Sequence, residues 1–95
     1  MANKTLTKSS VVVQGRGLLS SNVYGDIVLI SIKSGLYYDL DDVGSFIWNA
    51  LEKPLSVTEI IEQVLLSYDI ERSACEEDVM EFLQDLNDYN LLEIK

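Results

Sequence analysis

The chain has 95 residues, room for a single domain, and 47% of them are hydrophobic, enough to form a core. It carries 16 acidic against 7 basic residues, a net charge of −9, which argues against partners recognised through phosphate, whether nucleic acid or an anionic membrane surface. It has no histidine, so the usual neutral-pH acid/base and the commonest metal ligand are both missing.

In chain order, residues 1–8 are polar and read as a frayed end. Residues 1–10 lack the apolar segment of a signal peptide, and no apolar run approaches the ~20 residues of a membrane span, so the expected location is cytoplasmic. Val11-Val12-Val13 is a β-branched run suited to a strand. Gly15 and Gly17 interrupt it, and Ser20-Ser21-Asn22 reads as a loop. Ile27 to Ile32 reads as a strand with Val28, Ile30 and Ile32 on one face. Lys33-Ser34-Gly35 is a tight connection whose glycine suits a left-handed position. Leu36-Tyr37-Tyr38-Asp39-Leu40 then alternates, with Leu36, Tyr38 and Leu40 on one side and Tyr37 and Asp39 on the other.

Three helices are expected next. Asp41 or Asp42 caps the first, whose apolar positions are Val43, Phe46, Ile47, Ala50 and Leu51; Pro54 ends it. Ser56-Val57-Thr58-Glu59 is a capping box for the second, with Leu55 and Ile60 placed as a hydrophobic staple. Its stripe is Ile60, Ile61, Val64, Leu65 and Tyr68. Ser73-Ala74-Cys75-Glu76 reads as a second capping box, putting Glu76, Glu77 and Asp78 in a first turn that favours acids. The third stripe is Cys75, Val79, Phe82, Leu83 and Leu86, with Asn90 placed to close the helix. Leu91 to Ile94 is a final strand or packed tail. The order implies an α+β fold, with strands followed by helices, in one domain over residues 1–95.

The residues point away from catalysis. Cys75, the single cysteine, has no histidine to activate it and reads as a small hydrophobe on a helix. Glu76-Glu77-Asp78 and Asp39-Asp41-Asp42 lack the ligand spacing of a calcium loop and read as cap and helix acids, so neither a metal nor a cofactor is expected. The last two helices have helix-turn-helix lengths. The second of them, Ala74 to Tyr89, holds Glu76, Glu77, Asp78, Glu81, Asp85 and Asp88 and no Lys or Arg, so it would repel a major groove. A protein-interaction surface remains. The Leu36–Leu40 strand has no lysine or proline to guard its edge and can template an incoming peptide strand beside the third helix. The competing arrangement has Leu36, Tyr38 and Leu40 in the core and that edge covered.

Gly25-Asp26-Ile27-Val28-Leu29-Ile30, Ser34-Gly35-Leu36-Tyr37-Tyr38-Asp39-Leu40-Asp41-Asp42-Val43-Gly44 and Ile47-Trp48 resemble the PqqD-like family. Thr58-Glu59-Ile60-Ile61, Tyr68-Asp69-Ile70, Asp78-Val79, Phe82-Leu83, Leu86 and Leu91-Leu92 extend the resemblance, while residues 1–22 match poorly. The resemblance implies a winged helix-turn-helix, a three-stranded antiparallel sheet followed by three helices. It also implies a non-catalytic recognition element for ribosomally made, modified peptides that binds a precursor's leader as an added strand. Carried over by position, the groove would use Leu36, Tyr37, Tyr38, Asp39 and Leu40, with Cys75, Val79, Phe82 and Leu83 on the third helix and Asp78 on its rim. The pattern is most similar to the free-standing leader-binding proteins of lasso-peptide clusters, which work with a separate cysteine protease that removes the leader. Proteins serving pyrroloquinoline quinone synthesis usually have Leu-Asn-Pro and Cys-Asp-Gly where this chain has Leu40-Asp41-Asp42 and Leu51-Glu52-Lys53, so a peptide chaperone of that type is the alternative. A further alternative is an acidic winged-helix module with another protein partner.

Overall fold

The computed structural model describes residues 5–95. Its first sheet is antiparallel and has the order β2–β3–β4, built from β2 (Leu18–Val23), β3 (Asp26–Ser31) and β4 (Tyr37–Asp39). Three helices follow: α1 (Asp42–Ala50), α2 (Val57–Ser67) and α3 (Arg72–Asp88). The expected α+β order of three antiparallel strands and then three helices is present. One expected strand is exchanged, however. Val11–Gln14 forms β1, but β1 lies in a second small sheet between β5 (Leu55–Ser56) and β6 (Leu92–Ile94). The third strand of the main sheet is β2, the Ser20-Ser21-Asn22 segment expected to be a loop. It pairs along its whole length with β3, from Leu18↔Ser31 to Val23↔Asp26. Its polar side chains tolerate this because residues 19–23 are exposed and only the backbone is needed for the ladder.

Turn chemistry sets the registers. Tyr24 and Gly25, at φ 54° and 93°, join β2 to β3 in a two-residue turn with both central residues left-handed. Gly35, at φ 72°, closes the β3–β4 connection and donates its N–H to the Ser31 carbonyl at 2.7 Å. That connection is longer than Lys33-Ser34-Gly35: the last bond between the strands runs from the Ser31 N–H to the Leu36 carbonyl, so Ile32 joins the connection.

The helix signals fare unevenly. Asp41 caps α1, accepting from the Gly44 N–H at 2.7 Å. The Ser56–Glu59 capping box of α2 is fully formed. The second capping box is not formed. The Cys75 N–H already donates to the Glu71 carbonyl, so α3 starts at Arg72, and Ser73 Oγ contacts the Glu71 carboxylate instead of a backbone N–H. Glu76, Glu77 and Asp78 therefore lie beyond the first turn, where the dipole favours them less. Arg72 is held there by a two-pronged contact with Glu62 of α2 at 2.7 and 3.3 Å. At its other end α3 closes as the sequence implied. Asn90 is left-handed at φ 61°, its N–H donates to the Asn87 carbonyl, and the Leu91 N–H donates to the Leu86 carbonyl.

The core joins the inner face of the β2–β3–β4 sheet to the helix stripes, with Leu29, Ile47, Leu51, Ile60, Leu83 and Leu91 fully buried. On β3 the inward residues are Ile27 and Leu29, the opposite parity to Val28, Ile30 and Ile32. The amino-terminal end differs from its expected frayed state over the described residues 5–8. Leu6 is buried in the core, and the Lys8 carbonyl accepts from both the N–H and the hydroxyl of Thr58. Residues 1–4 of that expectation lie outside the described residues.

Candidate functional site

Three elements meet around the free edge of β4. The Ser31 N–H donates to the Leu36 carbonyl, and the Leu40 N–H donates to the Ile27 carbonyl. Antiparallel ladders alternate, so Leu36, Tyr38 and Leu40 are the residues whose backbone groups face β3. Tyr37 and Asp39 therefore aim their N–H and C=O groups outward. β4 ends the sheet, and these groups have no strand partner among the described residues.

Ser45 fixes this edge in place. Its hydroxyl accepts from the Ile27 N–H at 2.9 Å and donates to the Leu40 carbonyl at 3.3 Å, splicing the end of the β3–β4 pair onto α1. The serine is only 4% exposed. Directly beside it Gly44 brings the α1 backbone close to α3: an added Cβ would lie 3.1 Å from the Phe82 ring.

The wall opposite the edge is α3. Asp78, Phe82 and Tyr89 fall along one stripe of that helix and the turn after it. At one end of the stripe a cavity of about 200 Å³ is lined by Asp41, Val43, Gly44, Cys75, Asp78 and Phe82, among others. At the other end a wider, more open depression of about 820 Å³ takes in Leu36, Tyr38, Asp88 and Tyr89. The Tyr38 and Tyr89 rings meet there at 5.2 Å. The cavity lies among the helices and takes no residue from β4, whereas the depression includes Tyr38; β4 and the end of α3 meet through the Tyr38–Tyr89 contact.

The residues singled out from sequence divide by depth. Tyr37 is 71% exposed, Asp39 is exposed, and both carry outward backbone groups. Tyr38 is half-buried facing α3, Leu36 is exposed at the wide end, and Leu40 is buried. Asp78 is exposed at the rim and Phe82 half-buried in the wall. Cys75 and Val79 are core residues at the floor of the smaller cavity, while Leu83 is fully buried and lines neither space. Burial, then like charge from Asp78, pushes the Cys75 thiol pKa up, so the floor of the cavity is neutral and apolar. Gly44, Ser45 and Tyr89 also shape these surfaces and were not among the predicted site residues. A glycine and a serine inside an apolar helix pattern carry no sequence signal of a close approach.

The α3 wall presents carboxylates and aromatics without a basic side chain beyond Arg72 at its start. Among the described residues no group of three or more His, Cys, Asp or Glu is placed to hold a metal. No helix among them is long and apolar enough to cross a membrane. This arrangement can bind an extended chain: backbone groups on one side, an apolar floor, and aromatic and acidic side chains opposite.

Residues 26–92 match the family model described as coenzyme PQQ synthesis protein D (PqqD). A solved structure of TbiB1 in complex with the TbiA(beta) leader peptide is 32% identical, covers 85% of this chain and 94% of that one, and superposes with a TM-score of 0.78. A lasso peptide synthetase B1 complexed with its leader peptide shares the fold at 20% identity and a TM-score of 0.76, over 86% of this chain and 96% of that one. A search of curated proteins found no match.

Proposed function

The chain belongs to the PqqD family, and from that premise we propose that it is a non-catalytic recognition domain for the leader of a ribosomally made precursor peptide. The leader adds as a strand to the free edge of β4 and packs against α3. The single observation that carries this reading is the outward orientation of the Tyr37 and Asp39 backbone groups on a strand whose Tyr38 packs against Tyr89 at the end of α3. The other sheet edge, β2, offers free backbone too, but Leu19–Val23 along it are all exposed, whereas Tyr38 of β4 packs against Tyr89 after α3. A peptide there would gain hydrogen bonds without pockets.

Magnitudes support a two-part site. Tyr37 and Asp39 offer four backbone hydrogen bonds, each worth about 0.5–1.5 kcal/mol net. A micromolar complex needs about 8 kcal/mol. The ladder alone falls short of this, so the groove must supply a comparable share through buried apolar side chains. Alternation sends every second leader side chain toward Phe82, Tyr38 and Tyr89 and the others to the opposite face. Leu36 to Leu40, Asp78, Val79 and Phe82 thus act together in this reading, with Cys75 and Leu83 supporting the wall from the core.

The α2–α3 pair and the β2–β4 sheet are read as a winged helix-turn-helix, with the wing bearing the peptide, and the chain as one recognition domain with no cofactor. The relative solved with a leader peptide supports leader recognition. The lasso-peptide setting is preferred to a pyrroloquinoline quinone chaperone because Leu40-Asp41-Asp42 and Leu51-Glu52-Lys53 depart from the Leu-Asn-Pro and Cys-Asp-Gly usual in the latter. In the lasso-peptide setting the protein presents the leader to a separate cysteine peptidase, raising its local concentration at that enzyme. Fluorescence anisotropy with the labelled leader of the precursor encoded beside this chain tests the reading. Saturable binding that a scrambled leader lacks supports it; absence of binding by folded protein overturns it.

A further inference from the structure

The open depression at the start of β4 differs in charge from the rest of this acidic chain. Arg16 and Lys33 line it against one carboxylate, Asp88, in a molecule whose net charge is −9. Neither cation is locked to a partner. The Arg16 side chain is 88% exposed and reaches Glu93 only at 3.9 Å, the longest of the ion pairs among the described residues, and Lys33 makes none among them. Asp88 is engaged along its own helix, accepting from the Gln84 amide at 2.9 Å. The last turn of α3 is closed as well. The Tyr89, Asn90 and Leu91 N–H groups take the carbonyls of Asp85, Asn87 and Leu86, which blunts the negative end of the helix dipole. Between the charges lie apolar side chains left in water: Ile32 is 64%, Leu36 56% and Tyr89 59% exposed, and all three line the depression. Arginine and tyrosine beside exposed aliphatic side chains are the residue types that carry binding energy at interfaces.

We infer that this depression is a second recognition site for the captured peptide, specific for a segment in which Asp or Glu stands beside an apolar or aromatic residue. The inference rests on the strand-addition reading above and names the peptide chemistry that reading leaves open. Position and charge identify the occupant. Leu36 and Tyr38 line the depression and belong to the first half of the β4 alternation, so a strand laid along β4 in either direction carries one of its ends over it. An apolar peptide residue there packs among Ile32, Leu36 and Tyr89, and a neighbouring carboxylate meets Arg16 and Lys33. Arg16 leaves Glu93 at little cost, because a long, exposed ion pair contributes little.

Such a site supplies what the β4 edge lacks. Backbone pairing accepts almost any extended sequence, so selectivity has to come from side chains around it. A peptide with Lys or Arg at this point faces like charge, whereas one with Asp or Glu is drawn in, which discriminates by repulsion as well as attraction. The pairs are exposed and screened, so two of them together are worth about three- to tenfold in affinity at low salt and less as salt rises.

The test uses Arg16→Gln with Lys33→Gln on the full chain and the labelled leader of the precursor encoded beside it. Lys53→Gln with Lys95→Gln is the control: both lysines are exposed and line neither space, so the control changes net charge equally without touching the depression. By anisotropy at low salt, the Arg16 and Lys33 variant should bind about three- to tenfold more weakly, the control within about twofold of wild type, and added salt should close the gap. A leader whose Asp and Glu are replaced by Asn and Gln should bind wild type and variant alike. Equal binding of the intact leader by wild type and variant overturns the inference, and slowed amide exchange at Tyr37 and Asp39 then leaves strand addition standing. A matching loss in the control, or a loss that persists with the neutral leader, also overturns it, because the effect then belongs to overall charge or to another contact. If folded wild type does not bind the leader at all, the strand-addition reading fails and the inference with it.

Discussion

Replacing Ser45 with alanine should loosen the groove from beneath without touching its surface. The hydroxyl satisfies the Ile27 N–H and the Leu40 carbonyl, and both residues are about 95% buried. An unsatisfied buried backbone group costs about 1–3 kcal/mol. Partial closure of the two groups onto each other would recover one bond, so the expected loss is about 2 kcal/mol. A domain of this size has about 5–14 kcal/mol in total, and 1 kcal/mol moves its midpoint by about 4–8 °C. Thermal unfolding followed by circular dichroism should therefore show Tm lower by about 8–16 °C, and urea unfolding an unchanged slope. A loss below about 0.5 kcal/mol would refute the claim that this splice anchors the β4 edge to α1.

Gly44→Ala should leave the fold intact but push the Phe82 ring from a Cβ that would otherwise sit 3.1 Å away, weakening leader binding several-fold by anisotropy. Tyr24→Asn should raise stability by about 0.5–1 kcal/mol in urea unfolding, because Asn-Gly suits a turn with two left-handed residues. Cys75 should react with a thiol-alkylating reagent far more slowly than a free cysteine at neutral pH. Its pKa is raised, which keeps the thiolate scarce, and the side chain is 1% exposed; urea should restore the rate.

Much of this architecture is legible in local chemistry. The alternation of Leu36 to Leu40, Gly35 in its turn, the Ser56–Glu59 box and the left-handed Asn90 are short-range features, and each stands where the residues indicated. The α3 stripe is equally plain, since Cys75, Val79, Leu83 and Leu86 are all buried. What was hidden is long-range. Ser20-Ser21-Asn22 within Leu18–Val23 carries no strand signal of its own, and only its pairing with β3 makes it a strand. Val11–Gln14 reads as a strand, yet its partners Leu55 and Ile94 lie more than forty and eighty residues away. The helical bond from the Cys75 N–H to the Glu71 carbonyl starts α3 at Arg72, so the Ser73–Glu76 pattern falls inside the helix. The site shows the same division. The β4 strand and Phe82 were readable from pattern, whereas the approach of Gly44 and the bridging Ser45 depend on where α1 lies against the sheet.

The central claim is strand addition at β4, and amide hydrogen exchange measured with and without the leader tests it most directly. In the free protein the Tyr37 and Asp39 amides point to solvent while the Leu40 amide is already bonded to Ile27. The account predicts that saturating leader slows exchange at Tyr37 and Asp39 by tenfold or more, with much less change at residues 18–23. Binding that leaves both amides exchanging as fast as before would contradict it.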